Sequence, residues 1–225
     1  MTMKGSSVTR RFAVSAAVFA IGMLLSACGS NSEAMPAGAA SVVGTQTVTE
    51  SQVSDTVNEV LAQIALDKAA KVPTEGAVTL AVVQRSTQHL LFGEAASREG
   101  IVITQSQIDD FIASYVTQQF KGDRKALDSA LASGNFVPSS QVNDAASDQL
   151  VYGALLKKIA PQAASQADVA TAVKGYFEPL SKELNVRVAP RYGTWTGFTL
   201  GPVANDLASS PGTGSTAVPS AISSP

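Results

Sequence analysis

The sequence predicts a mainly α-helical domain whose N- and C-terminal ends are joined by a small antiparallel β pair. Three observations lead there. Two capping boxes, Thr49-Glu50-Ser51-Gln52 and Thr104-Gln105-Ser106-Gln107, each open a run of apolar residues at helical spacing. Only Ser41 to Val48 and Asn185 to Val188 combine β-branched residues with a turn signal, and they flank the helical part from opposite ends. Residues 29–40 are small and polar and residues 208–225 carry no charge and are mostly Ser, Pro, Thr, Gly and Ala, so the foldable part is confined to about residues 41–207. That is enough for one domain to bury about 70% of its unfolded surface.

The elements follow in order. After the first box, Val53, Val57, Val60, Leu61 and Ile64 recur at helical spacing and predict a helix over about 50–71. A second helix is expected over about 77–98, with Leu80, Val83, Leu90 and Leu91 on one side and Gly100 as its stop. The second box leads into Ile108, Phe111, Ile112, Tyr115 and Val116. The two starts are alike, Val48 and Val53 bracketing the first box and Ile103 and Ile108 the second, an arrangement like a hydrophobic staple. A short helix near 123–133 and a longer one near 139–160 come next, the latter ended by Pro161. Ser165 and Asp168 start a last helix through Val169, Val173, Tyr176, Phe177 and Leu180, which Pro179 is expected to kink or end.

The first 27 residues read as an export signal. Lys4, Arg10 and Arg11 form a positive start, and Phe12 to Leu25 is an unbroken weakly polar run of 14 residues. A bilayer core of ~30 Å needs about 20 residues as helix, so this run has the length of a signal-peptide core instead. Leu25-Ser26-Ala27-Cys28-Gly29 behind it resembles the lipobox of bacterial lipoproteins. Small residues before Cys28 fit a peptidase cleft, and the Cys28 thiol can be alkylated by a diacylglycerol donor, cleavage then leaving Cys28 as the new N-terminus. Cys28 is the only cysteine of 225 residues, which suits an oxidising compartment where a spare thiol is a liability. The expectation is a lipid-anchored protein on the extracytoplasmic side of the cell membrane, exported by the general secretory route rather than the twin-arginine one. Residues 28–40 then serve as a lipidated flexible tether, and 208–225, rich in Ser, Pro and Thr and free of charge, as a disordered tail.

The inventory of reactive groups argues against an enzyme. A single His and a single Cys exclude an internal disulfide and a four-ligand zinc site, so neither metal nor cofactor is expected. Phosphate-binding glycine loops, H-E-x-x-H and G-x-S-x-G are all missing from the sequence. His89 reads as a half-buried or surface helical histidine. Asp109 and Asp110 fall in the first turn of the third helix, where acids complement the helix dipole. The net charge of −2, or −5 once Lys4, Arg10 and Arg11 leave with the signal, gives no footprint for nucleic acid. Charge is uneven, with 4 bases and 10 acids over 29–120 against 6 bases and 3 acids over 151–200. Contact between the opposed halves explains it; a weak basic face toward acidic polymers or anionic headgroups is the other reading.

Ala40-Ser-Val-Val-Gly-Thr-Gln-Thr-Val-Thr-Glu-Ser-Gln-Val53 resembles the opening of the SurA N-terminal domain family, a short strand and turn leading into a capped helix. Gly100 to Ile108 is similar to that family's internal segment, and Val186 to Trp195 to its closing strand. The resemblance implies an extracytoplasmic chaperone that holds unfolded exported polypeptides in a helical cradle. It also implies a holdase without isomerase, since no stretch is left for a parvulin domain and His89 stands alone where parvulin sites use two histidines. Phe111, Tyr115, Phe120, Tyr176 and Phe177 are the candidate client-binding residues, with plain core packing as their alternative. Arg191, Tyr192 and Trp195 are expected to close the fold. The rival function is a non-catalytic scaffold lipoprotein with one specific folded partner; a transporter's two-lobed solute receptor is disfavoured by the shortage of strands.

Overall fold

The computed structural model describes residues 34–68 and 70–201. The export signal, Cys28 and the 208–225 tail lie outside the described residues. Within them the chain is mainly α, six helices with two small antiparallel sheets.

The chain enters as a β-hairpin, β1 (Ala39–Val43) and β2 (Gln46–Thr49), where a single strand was expected. Gly44 stands at the first of two central turn positions with φ +58°, the left-handed value a two-residue hairpin turn asks of its first residue. The tether boundary also moves, because Ala39 and Ala40 belong to β1 and are buried. Alanine is small enough to lie directly against the helices beneath the sheet. The expected pairing of the domain's ends is present: β3 (Arg187–Val188) runs antiparallel to β1, with Ser41 opposite Val188 and Val42 opposite Arg187. The sheet order is β2-β1-β3.

Helix α1 (Glu50–Ala65) starts at the first capping box, both reciprocal bonds formed: the Gln52 amide N–H donates to Thr49 Oγ1, and the Thr49 amide N–H to Gln52 Oε1. It stops six residues short of expectation. After Ile64 the apolar stripe would fall on Asp67 and Lys68, so another turn would bury nothing, and Leu66 already faces solvent. Helix α2 (Glu75–Glu99) is longer than expected and ends on Gly100, which takes the left-handed cap with φ +63°. Its buried face is Val78, Val82, Val83, Thr87, Leu91, Phe92 and Ala95, and Leu80, 39% exposed, lies outside it.

Helix α3 (Gln105–Phe120) repeats the capping box with nearly the same cap dihedrals, −88° and 157° against −88° and 156°. Helix α4 (Arg124–Asn135) is capped by Asp123, α5 (Val142–Ile159) follows a single 3-10 turn, and α6 (Gln166–Glu183) is capped by Ser165. Pro179 does not end α6. It lies on the exposed side, and the carbonyl it leaves without a helical partner belongs to Gly175, which is exposed to solvent. A second hairpin, β4 (Thr194–Thr196) and β5 (Thr199–Gly201), turns on Gly197 with φ +66°.

The core has three parts. The first hairpin, α1 and the N-terminal half of α2 enclose Val48, Val53, Val57, Val60, Ile64 and Val78. Val48 and Val53, the staple pair around the first box, are both in it. The C-terminal half of α2 with α5 and α6 encloses Leu91, Phe92, Leu155 and Phe177. The third part joins α3, α4 and α5 through Ile108, Ile112, Val116, Leu127 and Val142.

Candidate functional site: an aromatic groove beside helix α3

Only Ile108, Ile112 and Val116 of α3 are buried, a narrow stripe one residue wide per turn. The large side chains next to it are therefore left at the edge. Phe111 and Phe120 are half-buried, and Tyr115 is 44% exposed. The Phe111 and Tyr115 rings stack at 6.3 Å with planes 8° apart, and Phe120 meets Tyr115 edge-on at 5.9 Å. Three of the five candidate client-binding residues thus form one continuous aromatic row.

Phe111 and Tyr115 form one wall of an open groove of about 750 Å³ between α2, α3, α4 and α5. Leu131 and Val137 line its floor, and Gln84, Gln88, Arg85 and Gln149 its polar side. Sequence reading missed these amides. Gln84 and Gln88 are one turn apart on α2, and that spacing was the available signal. Both also hold the second hairpin: Gln84 Oε1 accepts from the Leu200 amide at 3.2 Å, and Gln88 Nε2 donates to the Phe198 carbonyl at 2.9 Å.

The other two candidates lie elsewhere. Phe177 is fully buried, edge-on to Phe92 at 5.7 Å and tilted against Phe198 at 4.4 Å, so it is core and not client-binding. It falls on the inward face of α6, where an aromatic side chain fills the space between α2 and the second hairpin. Tyr176 is half-buried beside it, its hydroxyl donating to Glu99 Oε1 at 3.2 Å. Burial, then the Glu99 charge, push its phenol up to about 12, so it stays a neutral donor. Tyr176 does not join the α3 row.

The charged groups around the groove have structural roles. Arg85 is largely removed from water, which lowers its pKa. Its guanidinium donates to the Phe136 carbonyl at the end of α4 and to Gln141 Oε1 at 2.8 Å. His89 on α2 meets Asp148 on α5, Nδ1 to Oδ1 at 2.8 Å, and that hydrogen bond holds the imidazole above its ordinary pKa. Asp109 and Asp110 lie beyond the first turn of α3, where they were expected, because the helix starts at Gln105; Asp109 accepts from Gln105 Nε2 at 2.8 Å. Among the described residues no group of three His, Cys, Asp or Glu side chains is placed to hold a metal ion, and no helix is long and apolar enough to cross a membrane.

Arg191, Tyr192 and Trp195 all make closing contacts. Arg191 and Tyr192 reach Glu50 at the start of α1, and Trp195 Nε1 donates to the Gly197 carbonyl at 3.1 Å. The chain matches no protein-family model, and no curated protein or solved structure is significantly similar to it.

Proposed function

We propose that the chain is a membrane-anchored extracytoplasmic lipoprotein that holds unfolded exported polypeptides without isomerising their prolines. Cys28 is the lipid attachment point and the α3 groove the client surface. The observation that carries the reading is the row Phe111–Tyr115–Phe120, which offers aromatic area to solvent beside an open groove. Exposed apolar area of this kind, rimmed by polar side chains, marks interaction surfaces rather than idle ones. Aromatic rings bind chains of varied sequence at little entropic cost, since each has two side-chain torsions to fix. Gln149 and the amide atoms of Gln84 and Gln88 other than those bonded to the second hairpin can donate or accept, which suits an unfolded backbone of undefined register.

The test uses the purified full chain and several unrelated unfolded secreted proteins. Suppression of their aggregation at near-stoichiometric amounts, lost in Phe111→Ser/Tyr115→Ser, is the expected result, with no acceleration of prolyl isomerisation. Stoichiometric capture of one folded protein and no effect on unfolded chains would replace the holdase by a scaffold.

A further inference from the structure

A second groove, of about 1030 Å³, runs along α6 on the other side of the second hairpin. Its walls are Val169, Val173, Val186, Trp195 and Phe198. Two of its polar groups are already used, Ser181 Oγ and Trp195 Nε1 both donating to the Gly197 carbonyl, and Gln166 and Asn185 also line it. At its edge stand Lys174 and Lys182 against one acid, Glu178, which pairs with Lys182 at 2.9 Å and is held below the usual carboxylate range by it. Lys174 makes no ion pair within 4 Å among the described residues, although its charge also helps to lower the Glu178 pKa.

We infer that this groove binds an anionic amphiphile, a hydrocarbon chain along the valine–tryptophan wall with its carboxylate or phosphate head at Lys174 and Lys182. Two features select that occupant. A polypeptide brings an N–H and a C=O with every residue, each needing a partner once it leaves water, and along the valine–tryptophan wall Ser181 and Trp195 have spent theirs on Gly197. A hydrocarbon chain brings none. The rim carries two ammonium groups against one carboxylate, so a negative head is favoured there over a neutral or positive one. The groove is separate from the α3 row, and the inference stands whether or not α3 holds clients.

Trp195 is the only tryptophan of the sequence and lines the groove, so its fluorescence reports occupancy directly. The full chain bearing Cys28→Ser, which carries no acyl chain of its own, is titrated with monomeric palmitate, with hexadecanol, and with vesicles of phosphatidylglycerol or phosphatidylcholine. Saturable change with palmitate or phosphatidylglycerol, and weak or no change with hexadecanol and phosphatidylcholine, is expected. Response to palmitate assigns a free acid as the ligand, and response to phosphatidylglycerol alone assigns a phospholipid head. Lys174→Ala and Lys182→Ala each weaken binding by about fivefold, the size of one partly exposed ion pair. Ala170→Phe, at an exposed position lining the groove, abolishes it without altering the melting temperature. The inference fails if Trp195 does not respond to any anionic amphiphile, if hexadecanol binds as well as palmitate, if the lysine variants bind unchanged, or if an unfolded polypeptide shifts Trp195 while palmitate does not.

Discussion

Helices α1 and α3 begin alike and end in different roles. Both open on a Thr-x-x-Gln capping box, both have a branched apolar residue just before the cap and another just inside, and both run for 16 residues. Yet α1 buries Val53, Thr56, Val57, Val60 and Ile64 against the first hairpin and α2, whereas α3 buries three residues and leaves Tyr115 exposed with Phe111 and Phe120 half-buried. A local start signal therefore fixes where a helix begins and says nothing about what its face will meet. The β-branched side chains of α1 are compact and inward. The aromatic ones of α3 flank its narrow buried stripe, Phe111 and Phe120 packing partly against the third part of the core and Tyr115 lying exposed.

The largest expected difference between the two helices is in stability. Ile64→Ala removes a nearly fully buried side chain and should cost about 2–5 kcal/mol, read as a lower urea midpoint. Tyr115→Ala removes a side chain that is 44% exposed and should cost less than about 1 kcal/mol, while reducing client holding. Equal losses from the two would erase the distinction between a structural and a working helix. The caps provide the converse comparison. Thr49→Ala and Thr104→Ala each remove the bond that the Thr Oγ1 accepts from the Gln amide and should each cost about 1 kcal/mol. A cost at Thr104 several times that at Thr49 would mean that α3 is held by its cap far more than by its packing.

Much of the fold was readable because its signals are local. The two boxes, Gly100 as a stop, Ser165 as a cap and the pairing of the domain's ends all rest on residues that satisfy their neighbours in sequence or close an obvious edge. The departures each involve something non-local. Residues 41–48 became a hairpin because β3 completes a sheet on one edge of β1 and β2 on the other. The face of α2 was misread at Leu80 because the helix packs against different elements along its length, and a single stripe does not describe it. The second hairpin was overlooked although Thr-Trp-Thr and Thr-Leu flank a Gly-Phe turn. At the candidate site, the α3 aromatics were legible from residue type and spacing. Phe177 was not separable from them by sequence, since its burial depends on Phe92 and Phe198 arriving from elsewhere.

The smallest expected effect concerns the seam between α2 and α5. His89 has a folded pKa above its ordinary value of 6.5, so its contribution is fully present below about pH 6.5 and is lost as pH rises through the folded value. With the imidazole 47% exposed, the gain is under about 1 kcal/mol. The native chain should melt slightly higher at pH 5.5 than at pH 8.5, and His89→Gln should remove that difference. A pH dependence unchanged in His89→Gln would assign it to other groups.

The most direct measurement compares α1 and α3 as surfaces. A photoreactive residue is placed at Tyr115 on α3, or at exposed Asn58 on α1, in the full chain mixed with an unfolded secreted protein. Crosslinking from position 115 to several unrelated clients, with little from position 58, is the result expected of a client-holding α3 groove. Equal crosslinking from both positions, or none from 115, would contradict it.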